Sequence, residues 1–223
     1  SESFTTVTVR PATVCGYSTR QRLDVVVNIL TNLAYHKREI SVFGGKQYRP
    51  NIHIKDMVAA YLMLIEAPKE KIAGEIFNVG FENQTVSELS ETVKKVVGED
   101  VKLITTPTND NRSYHISSEK IKNKLGFVAS HSIEEAASDL KKEILLSMAA
   151  YYYTQDSLTE ETQRQALNYL EAYNQISSRD DYFSRLTYEK EKINLLKYIQ
   201  MEMFRLEYIL GIKKIYLKVN LIL

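Results

Sequence analysis

The chain has 223 residues, a net charge of +1 from 29 basic against 28 acidic side chains, and 44% hydrophobic content. That length holds one large domain or two small ones with a real core, and the balanced charge gives no electrostatic reason to expect nucleic acid or an anionic membrane as partner. A single cysteine, Cys15, excludes an internal disulfide framework and fits a reducing compartment.

The start, Ser1-Glu2-Ser3-Phe4, lacks the basic and apolar regions of a secretion signal. Thr6 to Val14 reads as a strand, with Val7 and Val9 alternating with polar residues before Pro11 ends the run. Leu23 to Tyr35 reads as a helix with Leu23, Val26, Val27, Leu30 and Ala34 on one face. Ile40 to Phe43 is a short strand closed by Gly44-Gly45, and Asp56 is the expected N-cap of a helix over Met57 to Glu66. Glu75 to Val79 is a further strand. Thr85 and Glu88 form a capping box before Val86, Leu89, Val93 and Val96 at helical spacing. Val101, Leu103 and Thr105 alternate as a strand, and Ser132 with Glu135 opens a helix expected to end near Ile144. Strands alternating with helices of these lengths predict an α/β fold. The opening strand has only one short stretch to lie beside it, so its edges are expected to need a cover from this chain or another.

All four prolines lie at or before Pro107, whereas ten of the fifteen tyrosines lie from Tyr151 onward. The expected boundary is therefore near residue 147, giving a mixed region over 1–146 and a helical tail over 147–223. In the tail Ser157 and Glu160 make a capping box, followed by a stripe of Ala166, Leu167, Leu170 and Tyr173. Tyr182 to Leu210 reads as helix, with Leu196, Ile199, Met203, Leu206 and Leu210 spaced as in a short coiled coil or a packed hairpin. Ile215 to Leu223 alternates as a strand, although a helix also fits. The tail's apolar stretches are broken by lysines and fall short of the roughly 20 residues of a spanning helix, so no membrane partner and a cytoplasmic location are expected.

Four segments carry the chemistry: Pro11-Ala12-Thr13-Val14-Cys15-Gly16; Arg49-Pro50-Asn51-Ile52-His53-Ile54-Lys55-Asp56; Asn78-Val79-Gly80; and Asp110-Asn111-Arg112-Ser113-Tyr114 ahead of Lys124-Leu125-Gly126-Phe127. In this order they resemble the extended short-chain dehydrogenase/reductase family, in particular its NAD-dependent nucleotide-sugar epimerases and dehydratases. The resemblance covers about residues 4–144 and implies an incomplete Rossmann-type sheet carrying the small substrate-binding lobe, followed by the α-helical tail. It implies that Pro11, Ala12, Thr13 and Val14 line the nicotinamide end of NAD, and that Asn28 lies in the helix approaching the sugar-nucleotide phosphates. Val42 and Phe43 match the strand along the nucleotide base, and Arg49 and Arg112 match two arginines that grip the diphosphate. Guanidinium forks suit that task because they pair bidentately with phosphate oxygens and keep their charge.

The chain also departs from the family. Cys15 stands where the family often has tyrosine, and reads as a small buried hydrophobe. No Gly-x-Gly-x-x-Gly or Gly-x-x-Gly-x-x-Gly occurs, so no loop is built to cradle a dinucleotide pyrophosphate. The family's acid/base Tyr-x-x-x-Lys has its clearest spacing match at Tyr188 and Lys192, which sits in the tail among alternating charges and reads as coincidence. Catalytic residues and metal ligands are therefore assigned to no position: His36, His53, His115 and His131 lie in separate elements without ligand spacing. The expectation is the nucleotide-sugar-binding C-terminal part of an epimerase or dehydratase, inactive alone and binding no NAD by itself, with a uridine or thymidine diphosphate sugar as partner. The alternatives are a non-catalytic scaffold or interaction module, or a subunit completed by a separate N-terminal chain; the candidate protein partners are further copies of the chain, in a homo-oligomer, or that missing half.

Overall fold

The computed structural model describes residues 4–110, 112–153 and 160–176. Its first elements are β1 (Thr8–Pro11), β2 (Thr13–Cys15), α1 (Val26–Lys37), β3 (Glu39–Phe43), β4 (Tyr48–His53), α2 (Ile54–Glu66) and α3 (Lys69–Ile72). They are followed by β5 (Ile76–Val79), β6 (Glu82–Thr85), α4 (Val86–Val97), β7 (Lys102–Thr106), α5 (Glu119–Leu125), α6 (Ile133–Tyr153) and α7 (Glu160–Ile176). The fold is mixed α/β. The chain divides into two compact units, Ser1–Glu143 and Ile144–Leu223.

The opening apolar run makes two strands where the sequence predicts one. β1 lies parallel to β5, and after Ala12 the chain leaves it and pairs parallel with β4 as β2. Proline has no N–H to give, so Pro11 ends the first ladder without breaking it. The next amide, on Ala12, donates to the Val79 carbonyl at 2.7 Å. β4 in turn pairs antiparallel with β6, and β3 pairs parallel with β7.

Two apolar clusters fill this unit. One gathers Ile52, Met57, Ala60, Leu64, Phe77, Val79 and Ile121 around β5, α2 and α5. The other joins α1, α4, β3 and α6 through Val27, Leu30, Ile40, Val42, Leu89, Val93, Ile133 and Leu140. Burying one such aliphatic side chain contributes roughly 1.5–3 kcal/mol. Leu23, expected on the inner face of the first helix, is 49% exposed because α1 begins only at Val26.

Helix starts follow the side chains available to cap them, with one correction. α4 opens on the predicted box: Thr85 Oγ1 accepts from the Glu88 amide at 3.2 Å, and Glu88 Oε2 accepts from the Thr85 amide at 2.7 Å. The Ser132–Glu135 box is also present, at 3.1 and 2.6 Å. Asp56 is not the cap of α2; His53 is, its Nδ1 accepting from the Lys55 amide at 3.0 Å. α6 runs past Ile144 to Tyr153, because Leu145, Leu146, Met148 and Ala149 favour helix and no glycine or proline intervenes. The boundary expected after residue 146 therefore falls within a helix.

In the second unit α7 buries Ala166 and Tyr173 and half-buries Leu167 and Leu170. The ring of Tyr152 stacks on Tyr169 at 5.5 Å, and Tyr151 meets Tyr152 edge-on at 5.4 Å. Ser157, the stretches Tyr182–Leu210 and Ile215–Leu223, and the pair Tyr188 and Lys192 lie outside the described residues. Among the described residues no helix is long and apolar enough to cross a membrane, and no three acidic, histidine or cysteine side chains are grouped to hold a metal.

Candidate functional site

Because β3 and β7 run parallel, their carboxyl ends open on the same side, where ligands of open α/β sheets bind. Two loops leave from there. After β3 the chain turns through Gly44 and Gly45, both with positive φ (75° and 96°). A Cβ at Gly44 would collide with Thr108, and one at Gly45 with Ser87, so only glycine passes here. The loop's carbonyls serve α4: the Ser87 amide donates to Gly45 at 3.0 Å and the Val86 amide to Gln47 at 3.1 Å. The N-terminus of α4 is thus satisfied from within, and positive charge for an anion has to come from side chains.

Arg49 and Arg112 supply it. Arg49, at the start of β4, keeps only 16% of its side chain exposed. Its Nη1 donates to the Tyr48 carbonyl at 3.1 Å and to the Arg112 carbonyl, and its Nη2 meets Asp110 Oδ2 at 3.2 Å. The guanidinium also lies over the Tyr114 ring, 5.8 Å from its centre. Arg112, 82% exposed, grips the same carboxylate with two bonds, Nε to Oδ1 and Nη2 to Oδ2, each 2.8 Å. Asp110 is fixed from below, its amide donating to Thr108 Oγ1 at 3.1 Å and its Oδ1 accepting from the Arg112 amide at 3.1 Å. Hydrogen bonds from Arg112 hold the Asp110 carboxyl well below the usual carboxylate range. Beside them Ser113 Oγ accepts from the Tyr48 amide at 3.0 Å, and the Tyr48 and His115 rings pack at 4.1 Å. Two cations therefore share one anion at the mouth of β3 and β7. The sequence points to both arginines; it gives no sign of Asp110 as their common partner.

The other predicted positions are placed differently. Phe43 is 58% exposed at the end of β3, whereas Val42 is buried in the core and offers a ligand only its backbone. Asn28 is 3% exposed and both ends of its amide are engaged: Oδ1 accepts from the Gly16 amide at 3.1 Å, and Nδ2 donates to the Arg22 carbonyl at 2.7 Å. It ties the loop after β2 to α1. Pro11, Ala12, Thr13 and Val14 span the junction of β1 and β2, with Ala12 buried and packed beside Gly80, where a Cβ would stand 3.0 Å from its own. Cys15 is 1% exposed, and burial pushes its thiol up to about 12, which suits packing and not nucleophilic attack.

The pyrophosphate of a dinucleotide is cradled by a glycine-rich turn from strand to helix. Here β4 passes directly into α2 and β6 directly into α4, and the connection from β2 to α1 runs through Gly16 and then Arg20, Arg22 and Asp24.

A second polar cluster went unread in the sequence. Asp56 is 3% exposed, and its carboxylate takes hydrogen bonds from the Ser130 amide at 3.1 Å, the His131 amide at 2.9 Å and His131 Nδ1 at 2.7 Å. His131 packs against the ring of fully buried His53 at 5.0 Å, and His53 Nε2 lies 3.5 Å from Asp139, which also pairs with Lys55 at 2.7 Å. Burial works to raise the Asp139 carboxyl, but His53 and Lys55 outweigh it and hold it at about 2. A carboxyl depressed on folding contributes stability above its unfolded pKa of about 4 that is lost as pH falls towards the folded value. The urea midpoint of the protein is therefore expected to drop between about pH 4 and pH 2, and Asp139→Asn should flatten that limb; an unchanged limb would show that Asp139 does not set it.

Residues 1–80 match the NAD dependent epimerase/dehydratase family. Among solved structures, the UDP-glucose 4-epimerase of Thermotoga maritima with UDP-glucose is 28% identical, with a TM-score of 0.51 over 59% of this chain and 43% of that one. The UDP-glucuronic acid 4-epimerase of Bacillus cereus in complex with UDP-glucuronic acid and NAD is 21% identical, with a TM-score of 0.53 over 61% of this chain and 45% of that one. The dTDP-glucose 4,6-dehydratase of Bacillus anthracis in complex with NAD is 19% identical, with a TM-score of 0.50 over 60% and 42%. The matched region spans less than half the length of each of these proteins.

Proposed function

Starting from a chain whose residues 1–80 are those of the NAD-dependent epimerase/dehydratase family, we propose that it is the nucleotide-sugar-binding portion of such an enzyme. The observation that carries this reading is the meeting of Arg49 and Arg112 on one carboxylate beside the carboxyl ends of β3 and β7. Two guanidinium groups that converge on one carboxylate can each pair with one phosphate of a nucleoside diphosphate. Exposed Phe43, at the end of the neighbouring strand, offers a flat apolar face for the base. Pro11 to Val14 would form one wall of a nicotinamide site whose pyrophosphate cradle this chain does not carry. NAD, when bound in an intact enzyme, would accept a hydride from the sugar and return it. This chain's own part is to hold and orient the diphosphate.

The test is a calorimetric titration of the purified chain with UDP-glucose and separately with NAD. Saturable binding of the nucleotide sugar with none of NAD is the expected result. A folded protein that binds neither UDP nor UDP-glucose removes the reading.

An interaction module is the second reading, and a specific surface favours it. Val58, Tyr61, Leu62 and Ile65 follow helical spacing on α2 and are 49%, 47%, 55% and 80% exposed. Among the described residues β1 is paired along one edge only. An apolar stripe and a strand with one open edge are the kinds of surface that another polypeptide, such as a separate N-terminal half, would cover.

A further inference from the structure

Within the reading of Arg49 and Arg112 as a diphosphate grip, on which the inference rests, one carboxylate has no part in holding a phosphate. Asp110 sits where the two guanidinium groups converge and satisfies both, with two bonds to Arg112 and one to Arg49. It does not arrive by chance from a mobile side chain. The Thr108 hydroxyl takes its amide, its Oδ1 takes the Arg112 amide, and the Arg49 guanidinium locks the loop by donating to the Arg112 carbonyl. The carboxylate is thus aimed at the arginines by the turn that carries it.

We propose that Asp110 is a built-in competitor that makes the site select a diphosphate over a single phosphate. An anion entering between the arginines has to displace or share a carboxylate that the turn holds in place, and such an intramolecular partner acts at an effective concentration on the order of millimolar. A single phosphate offers little more than the carboxylate it replaces: one anionic centre reaching one fork in full. A diphosphate offers two anionic centres, so each guanidinium can take its own phosphate and Asp110 can turn out to water. Its side chain, 35% exposed, is already at the surface, so that turn leaves no buried charge behind. Asp110 also keeps the arginines from repelling one another, which keeps both forks positioned for the ligand.

The test compares inorganic phosphate and inorganic pyrophosphate by calorimetric titration at low ionic strength, on the full chain and on Asp110→Asn, Asp110→Glu and Arg49→Ala. Asp110→Asn is expected to tighten phosphate binding about fivefold, the scale of a released surface ion pair, and pyrophosphate binding less, so the preference narrows. Asp110→Glu keeps the charge and is expected to keep phosphate binding weak. If Asp110→Asn leaves both affinities unchanged or lowers them, the proposal is overturned. It is overturned as well if Asp110→Glu tightens phosphate as much as the asparagine does, because loop geometry and not charge would then be responsible. Arg49→Ala separates the two levels. If it binds pyrophosphate as well as the unaltered chain does, the diphosphate grip itself is wrong; if it binds more weakly while Asp110→Asn shows no gain, the grip stands and the competitor does not.

Discussion

Replacing Asp56 with alanine is expected to destabilise the unit that contains it by about 3 kcal/mol, the lower end of what breaking a buried charged partnership costs. Asp56 stands in the first turn of α2 and is almost fully buried. It gathers the amides of Ser130 and His131, the Ser130 hydroxyl at 3.3 Å and the His131 ring. Burial works to raise its carboxyl, yet the His131 ring and these amides hold it below its ordinary value. The bonds to the charged form therefore outweigh the loss of water. Alanine removes the acceptor and strands two amide donors in the loop before α6, so much of the effect comes from what is left unpaired. Asp56→Asn keeps an acceptor oxygen without the charge and should lose less. Urea denaturation gives the measurement, and an Asp56→Ala midpoint equal to that of the unaltered protein would falsify the account.

Arg49→Ala should weaken a nucleoside diphosphate by roughly 1.5–3 kcal/mol, the scale of hydrogen bonds to a charged group, or about 10- to 150-fold in affinity. Arg49 is the stronger grip because it is the better held. It is mostly shielded from water and braced by the Tyr48 and Arg112 carbonyls, so its fork loses little freedom on binding. Arg112 is largely exposed and should matter less. Arg49→Lys keeps the charge and loses the fork, and should recover only a small part of the affinity. Calorimetry with UDP measures all three. A lysine variant that binds as tightly as arginine would mean that charge alone, and not the paired geometry, does the gripping.

How much of this was legible in the sequence depends on how local the cause is. The boxes at Thr85–Glu88 and Ser132–Glu135 need only residues three apart, and both can be read directly. β4 could not be read. Its residues Tyr48-Arg49-Pro50-Asn51-Ile52-His53 break every strand rule, with a proline in the middle and two buried polar side chains. Pro50 stands opposite Asn83 in the ladder with β6, while on the other edge pairing with β2 begins only at Asn51, which leaves room for a residue without an N–H. β6, Glu82-Asn83-Gln84-Thr85, has no apolar side at all and is a strand only because β4 lies beside it. Asp56 reads as a cap because aspartate in a first turn usually is one. Its partners Ser130 and His131 are remote in the chain, and no spacing announces them. The two arginines could be picked out by their resemblance to known motifs, but only the fold brings Asp110 to both of them.

The way the strands pair also sets how the molecule must assemble. Every parallel ladder joins distant stretches: Thr8 meets Ile76, Thr13 meets Asn51, and Glu39 meets Lys102. Such loops have to close before their contacts return any free energy, so folding should be slow compared with that of a helical bundle of equal size. β2 and β4 close the shortest of these loops, whereas β1 pairs with β5, which is made well after it. Until β5 is made, Thr8 to Pro11 lacks the partner it has in the fold. The arrangement that brings the carboxyl ends of β3 and β7 together at the arginines thus carries a kinetic liability, and of the three parallel ladders the one at β1 closes the longest loop.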